Sequence, residues 1–175
     1  ELAGLVHSSK GLSWPLRDRG SEPVIETMDL VKVYAEGNIR AVDGLNLSIR
    51  EGEIYALIGA NGSGKTTSIN MLTGALFPTS GAIRILGFEV PRYRRVVSPK
   101  IGVAPQEYAL YNDLTVEQNL WFFARLYGLS REAFVQRIAE LLKILRMEER
   151  RKTAISNLSG GMERPVIITC ALMHE

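Results

Sequence analysis

At 175 residues, with 46% apolar and 23% charged side chains, the chain is long enough to bury a core of its own and has an ordinary globular composition. A formal net charge of +2 is too small to argue for a nucleic-acid or acidic-surface partner. One cysteine, Cys170, excludes an internal disulfide, and no apolar run or leader pattern suggests a membrane span or a signal peptide, so the sequence predicts a soluble chain of a reducing compartment.

Residues 1–23 mix Ser, Gly, Pro and both charges with isolated Leu12, Trp14 and Leu16, and read as a tail or linker. Val24–Tyr34 and Ala41–Ile49 read as strands, joined by a turn at Glu36-Gly37-Asn38, with a second turn possible at Asp43-Gly44. Leu45, Leu47 and Ile49 alternate as a half-buried strand requires. Glu53–Ile58 is a short apolar run that reads as a buried strand, so the sheet is expected to be mixed.

The next residues are Gly59-Ala60-Asn61-Gly62-Ser63-Gly64-Lys65-Thr66-Thr67, a phosphate-binding loop of the form G-x-x-x-x-G-K-[ST]. Glycines let the backbone wrap closely around phosphate oxygens, with its amides forming an anion nest. The helix predicted over Lys65–Gly74 directs its positive end to the same place. Lys65 supplies a charge for the β- and γ-phosphates, and the Thr66 hydroxyl is the Mg²⁺ ligand that such a loop provides.

Phe77–Gly81 reads as a turn and Ala82–Leu86 as a strand ended by Gly87. Arg92–Lys100 is a basic surface segment, a short helix closed by Pro99, and Arg92, Arg94 and Arg95 read as a solvated face. Ile101–Ala104 reads as a buried strand that stops at Pro105-Gln106. Thr115 and Gln118 form a capping box for a helix carrying Leu120, Phe123, Ala124 and Tyr127 and ending at Gly128. Ser130 caps a second helix with Phe134, Ile138, Leu141, Leu142 and Leu145 as its apolar stripe. In Leu158-Ser159-Gly160-Gly161-Met162, Ser159 would cap a helix starting at the glycines, a second anion site.

With these motifs in this order, the chain resembles the nucleotide-binding domain of an ATP-binding cassette (ABC) ATPase from about Val24 to its end. Gly59–Thr67 is similar to that family's Walker A loop, Gln106 to its Q-loop glutamine, Leu158–Met162 to its signature motif, and Tyr34 to its adenine-stacking aromatic. Asn112–Val116 with Asn119-Leu120 is similar to the same region of exporter-type transporter ATPases. The resemblance implies an α/β fold: a P-loop NTPase core with an antiparallel β subdomain and a helical subdomain spanning about residues 115–160, C-terminally incomplete within a domain of residues 24–175. It implies ATP and Mg²⁺ as ligands. Tyr34 would stack on adenine; Gly59, Asn61, Gly62, Ser63, Gly64, Lys65 and Thr67 would hold the phosphates; Thr66 and Gln106 would reach Mg²⁺. Ser159, Gly160 and Gly161 would face the γ-phosphate on a second ABC ATPase domain. A transmembrane permease would be the other partner, at the inner face of the plasma membrane on the cytoplasmic side.

The family's acidic pair, which holds Mg²⁺ and activates water, would follow the signature helix, so the general base is expected beyond Glu175 and the chain itself is expected to hydrolyse ATP poorly. Glu1 and the unterminated helical pattern at Cys170–Glu175 suggest a fragment. Pro165 and the β-branched run Val166–Thr169 weaken the signature helix, which must be kinked or overridden by packing. Val166, Ile168 and Leu172 are expected to lack cover, and the chain to be unstable alone. The alternatives are a soluble ABC protein outside transport and a truncated module that binds ATP without hydrolysing it. A GTPase is disfavoured, since no N-K-x-D motif is present.

Overall fold

A computed structural model describes residues 22–105 and 110–173. The predicted tail up to residue 21, Gln106 and the last two residues lie outside the described residues. The chain divides into two compact units, one ending at Val97 and the other beginning at Ser98.

The first unit is built on an antiparallel sheet of β1 (Ile25–Tyr34), β2 (Ile39–Ile49), β3 (Ser80–Ile85) and β4 (Phe88–Val90), in the order β2-β1-β3-β4. Strands β1 (Ile25–Tyr34) and β2 (Ile39–Ile49) form a hairpin from Ile25↔Ile49 to Tyr34↔Ile39. Its turn is tight because Gly37 (φ 75°) and Asn38 (φ 48°) adopt left-handed backbone, which these two residue types tolerate. Asp43-Gly44, a possible turn from the sequence, is a bulge inside β2, where the register shifts between Leu30↔Leu45 and Lys32↔Val42. A second bulge, on β1, sets Met28 and Asp29 against Asn46, between Thr27↔Leu47 and Leu30↔Leu45, and this one is stitched by side chains. Asn46 accepts from the Asp29 amide at 2.9 Å, and the buried Thr27 hydroxyl donates to the Leu45 carbonyl at 2.9 Å while accepting from the Leu47 amide at 2.8 Å. Such bonds restore the pairing that a bulge removes.

On the other side of β1 lies β3 (Ser80–Ile85), also antiparallel. A two-residue turn at Leu86-Gly87, both at positive φ, leads into β4 (Phe88–Val90), a strand that the sequence reading did not separate from the turn. Helix α1 (Lys65–Leu72) ends at Gly74, as predicted, and buries Met71, while Leu30 and Ile83 are fully buried in the sheet. The short helix α2 (Arg94–Val97) falls where a surface helix was expected.

The expected mixed sheet does not form among the described residues. Neither Glu53–Ile58 nor Ile101–Ala104 is a strand. Ile54 and Ile58 are 101% and 93% exposed. A strand needs a neighbour to take its N–H and C=O groups, and no described residue pairs with either segment.

The second unit is helical. Helix α3 (Val116–Leu126) opens with the predicted capping box, the Gln118 amide donating to Thr115 Oγ1 at 3.2 Å and the Thr115 amide to Gln118 Oε1 at 2.8 Å. Helix α4 (Arg131–Ile144) is capped by Ser130, as expected, and the apolar stripes of both helices close over Leu120, Ile138 and Leu142. Asn119 is fully buried. Its Oδ1 accepts from the Tyr111 amide at 2.8 Å, and its Nδ2 lies 3.0–3.3 Å from the carbonyls of Tyr111, Leu114 and Thr115.

Helix α5 (Gly160–Ala171) runs through Pro165. The proline costs roughly 3 kcal/mol in a helix interior. Val166, Ile167 and Cys170 are buried behind it, at about 1.5–3 kcal/mol for each large apolar side chain, so packing outweighs the penalty. The buried Thr169 hydroxyl donates to the Pro165 carbonyl at 2.9 Å. Val166 is thus covered, contrary to the expectation from sequence, and Ile168 remains 37% exposed.

Candidate functional site

In the first unit the glycine loop follows the Glu51-Gly52 turn and runs straight into α1. Its shape depends on three glycines for different reasons. Gly62 has φ 80° with open space around it. Gly59 faces Ser63, whose Oγ would lie 2.6 Å from a Cβ there. Gly64 combines φ 85° with a seat against β2, where a Cβ would come 2.1 Å from the Ala41 carbonyl oxygen. A turn bond from the Ser63 amide to the Ala60 carbonyl, 3.2 Å, closes the loop.

The first helical bond of α1 runs from the Ser68 amide to the Gly64 carbonyl at 2.8 Å, and no side chain caps the helix. Its first turn holds no acidic residue, so among the described residues the first-turn amides carry the positive end of the helix without a capping side chain. Lys65 folds over the loop, its Nζ donating to the carbonyls of Gly59 (2.9 Å) and Ala60 (2.7 Å) and lying 3.4 Å from Ser63 Oγ. Asn61 and Thr66 are exposed. The stretch Gly59–Leu72 contains no carboxylate. Amides, one ammonium and one helix end converge here, and this donor set suits a phosphate chain.

Tyr34, at the end of β1, is joined to the same site: its hydroxyl is 3.4 Å from Thr67 Oγ1, and the residue is 39% exposed. Lys32 Nζ sits 5.5 Å from the Tyr34 ring centroid and donates to the Phe77 carbonyl at 2.8 Å. The sequence reading missed Lys32, although its place two residues before Tyr34 on one strand face was a usable signal.

In the second unit Ser159 occupies the N-cap position of α5, and its carbonyl accepts from the amides of Met162 (2.7 Å) and Glu163 (3.1 Å). The expected side-chain cap is absent: the Ser159 hydroxyl makes no capping bond. Extended backbone and the glycines start the helix instead, which leaves an exposed hydroxyl beside the exposed Gly160 and Gly161. Arg164 of the same helix donates to the Pro105 carbonyl at 2.6 Å, next to the undescribed Gln106.

Among the described residues no group of three or more His, Cys, Asp or Glu could hold a metal ion. The exposed Thr66 hydroxyl fits Mg²⁺, which takes few protein ligands and completes its shell with water and phosphate oxygens. No helix among the described residues is long and apolar enough to cross a membrane.

Comparison with known proteins gives the site a context. The sequence profile described as "ABC transporter" matches residues 42–175. The linearmycin resistance ATP-binding protein LnrL of Bacillus subtilis is 38% identical over 152 residues, 87% of this chain and 48% of that protein. The probable multidrug ABC transporter ATP-binding protein YbhF of Escherichia coli is 33% identical over 174 residues, 99% of this chain and 28% of that protein. The phospholipid-transporting ATPase ABCA3 of Homo sapiens is 40% identical over 151 residues, 85% of this chain and 9% of that protein. The chain thus spans about half or less of the length of these curated relatives. A solved structure titled as the ATP binding subunit of an ABC transporter has 32% identity and a TM-score of 0.74 over 86% of this chain and 62% of that one. The dimeric post-hydrolysis cassette MJ0796, bound to ADP and Pi, has 28% identity and a TM-score of 0.74 over 86% and 69%. The expected α/β fold class, a phosphate-loop core with an antiparallel sheet and a helical part, agrees with these neighbours.

Proposed function

The chain belongs to the ABC transporter family, and on that premise we propose that it is the ATP-binding and ATP-hydrolysing portion of a membrane exporter. The observation that carries this reading is the loop Gly59–Thr67: left-handed Gly62 and Gly64, an uncapped α1 and the Lys65 ammonium all meet at one point. Tyr34, tied to Thr67, stacks on the base. Lys65 exchanges the Gly59 and Ala60 carbonyls for phosphate oxygens. Thr66 and Gln106 are the proposed Mg²⁺ ligands, and the ion, when bound, neutralises charge that builds on the transferring phosphoryl group.

Ser159, Gly160 and Gly161 face the nucleotide of a second ABC ATPase domain, and the uncapped Ser159 hydroxyl is free to accept that role. Nucleotide-driven closure of two such domains drives a transmembrane permease from the cytoplasmic face of the plasma membrane. The exporter assignment draws on relatives named for linearmycin resistance, multidrug and phospholipid transport. Recovery of the intact protein with membranes supports it, and salt-sensitive recovery with ribosomes supports a non-transport role instead.

The direct test is calorimetric titration of the chain with ATP, wild type against Lys65→Ala. Loss of a charge-assisted contact lowers affinity roughly 10- to 100-fold, with the far-ultraviolet circular dichroism unchanged. Equal affinity of the two proteins refutes the assignment of the loop.

A further inference from the structure

Nothing above assigns a role to Lys32. Its Nζ lies over the face of the Tyr34 ring, 5.5 Å from the centroid, within the range of a cation–π contact. The same ammonium donates to the Phe77 carbonyl at 2.8 Å. Phe77 lies in the connection that follows α1, and that connection is fastened to the end of β1. The Thr79 amide donates to the Val31 carbonyl at 2.8 Å, and Thr79 Oγ1 accepts from the Val33 amide at 3.0 Å and lies 3.3 Å from the Val33 carbonyl. The lysine is therefore held from two directions, unlike a surface lysine that samples many rotamers. The ring is in turn held at its hydroxyl by Thr67, 3.4 Å away, yet Tyr34 keeps 39% of its surface exposed.

We infer that Lys32 is a positioning residue for the nucleotide base: it covers one face of the Tyr34 ring, leaves the opposite face as the stacking surface, and tunes that surface for a purine. A cation over one face of a phenol draws π-electron density towards itself. The opposite face becomes less negative and stacks better on an electron-rich base. The order of the assembly is ammonium, ring, base, with the Phe77 carbonyl behind the ammonium. The inference rests on the nucleotide-site reading given above.

A phosphate-binding role for Lys32 is the competing reading, and ligand truncation separates the two. Affinities of the full chain for ATP, UTP and inorganic tripolyphosphate are measured by calorimetry for wild type, Lys32→Met and Lys32→Arg, and for Lys32→Met in a Tyr34→Ala background. Methionine keeps the aliphatic stem and removes the charge. Lys32→Met is expected to weaken ATP about two- to five-fold, to narrow the preference for ATP over UTP and to leave tripolyphosphate unchanged. Lys32→Arg retains ATP affinity, since a guanidinium also sits over a ring face. In the Tyr34→Ala background Lys32→Met has no further effect, because the ring through which it acts is gone. Equal weakening of ATP and tripolyphosphate, an unchanged ATP affinity, an unchanged ATP-to-UTP ratio, or a full additional loss in the Tyr34→Ala background each overturns the inference and leaves the nucleotide site standing. A wild-type chain that binds neither ATP nor tripolyphosphate overturns the nucleotide site itself, and this inference with it.

Discussion

Gly62 and Gly64 allow backbone strain and steric overlap to be separated within one loop. Both hold left-handed backbone, at φ 80° and 85°. An alanine at either position meets the same conformational penalty, about 1 kcal/mol. Only Gly64 is also crowded. Its added Cβ would stand 2.1 Å from the Ala41 carbonyl oxygen and 3.3 Å from Val42 Cγ2, whereas nothing lies within 4 Å of the corresponding atom at Gly62. Ala41 is backbone of β2, flanked by Arg40 and Val42, which pair with Val33 and Lys32, so it cannot withdraw without disturbing the hairpin. Overpacking of this kind costs roughly 1–3 kcal/mol more. Gly62→Ala is thus expected to lower unfolding stability by about 1 kcal/mol and Gly64→Ala by about 2–4 kcal/mol. Urea unfolding followed by circular dichroism measures both under one set of conditions. Equal losses would show that the loop is not seated on β2, and the account of why glycine is required at position 64 would fail.

Two further outcomes follow from the helical unit. Asn119→Ala strands the Tyr111 amide and the carbonyls that Asn119 Nδ2 serves, and is expected to cost about 2–4 kcal/mol in urea unfolding; a loss below about 0.5 kcal/mol, the scale of an ordinary surface substitution, contradicts the latch. Burial pushes the Cys170 thiol up to about 12 from 9.0, so the native chain should resist alkylation by iodoacetamide at pH 8 while the urea-unfolded chain reacts. The folded state favours the neutral thiol, so this group's contribution is complete below pH 9 and is lost as the pH rises towards about 12. Rapid native alkylation, or stability that does not fall across that window, refutes the assignment.

Local chemistry was the most legible part of the chain. The Thr115 and Ser130 caps, the Gly74 and Gly128 stops and the glycine loop each rest on a few neighbouring residues, and each lies where the pattern placed it. The strand that the sequence predicts at Glu53–Ile58 does not form. Apolar periodicity reports that a segment is suited to burial, but a strand exists only when another backbone lies beside it. Uncovered apolar surface was expected on α5; there it holds for Ile168, while Val166 is buried in the core of its own unit, and the most exposed large apolar side chains among the described residues are Ile54 and Ile58. Among candidate site residues, the structure brings the loop and Tyr34 together, and the signal for Lys32 is its i, i+2 spacing from Tyr34 on one strand face, which gains meaning only once the ring contact is seen. The four bonds of Asn119 come from a loop fold that no spacing rule encodes, so its sequence neighbourhood alone does not reveal them.

The pairing of β1 with β3 has a consequence for chain entropy. The β1–β2 hairpin closes over a few residues, but β3 reaches β1 only after the chain has travelled from Arg50 to Thr79, and the whole phosphate loop and α1 lie inside that span. Drawing together the ends of a flexible span of about thirty residues costs roughly 3 kcal/mol, and each halving of its flexible length returns about 0.6 kcal/mol. A ligand that orders residues 59–67 shortens the flexible part of the span without touching either strand. Occupancy of the loop is therefore felt at the β1–β3 seam as a tighter tether, so the seam's resistance to opening reports on the ligand from a distance.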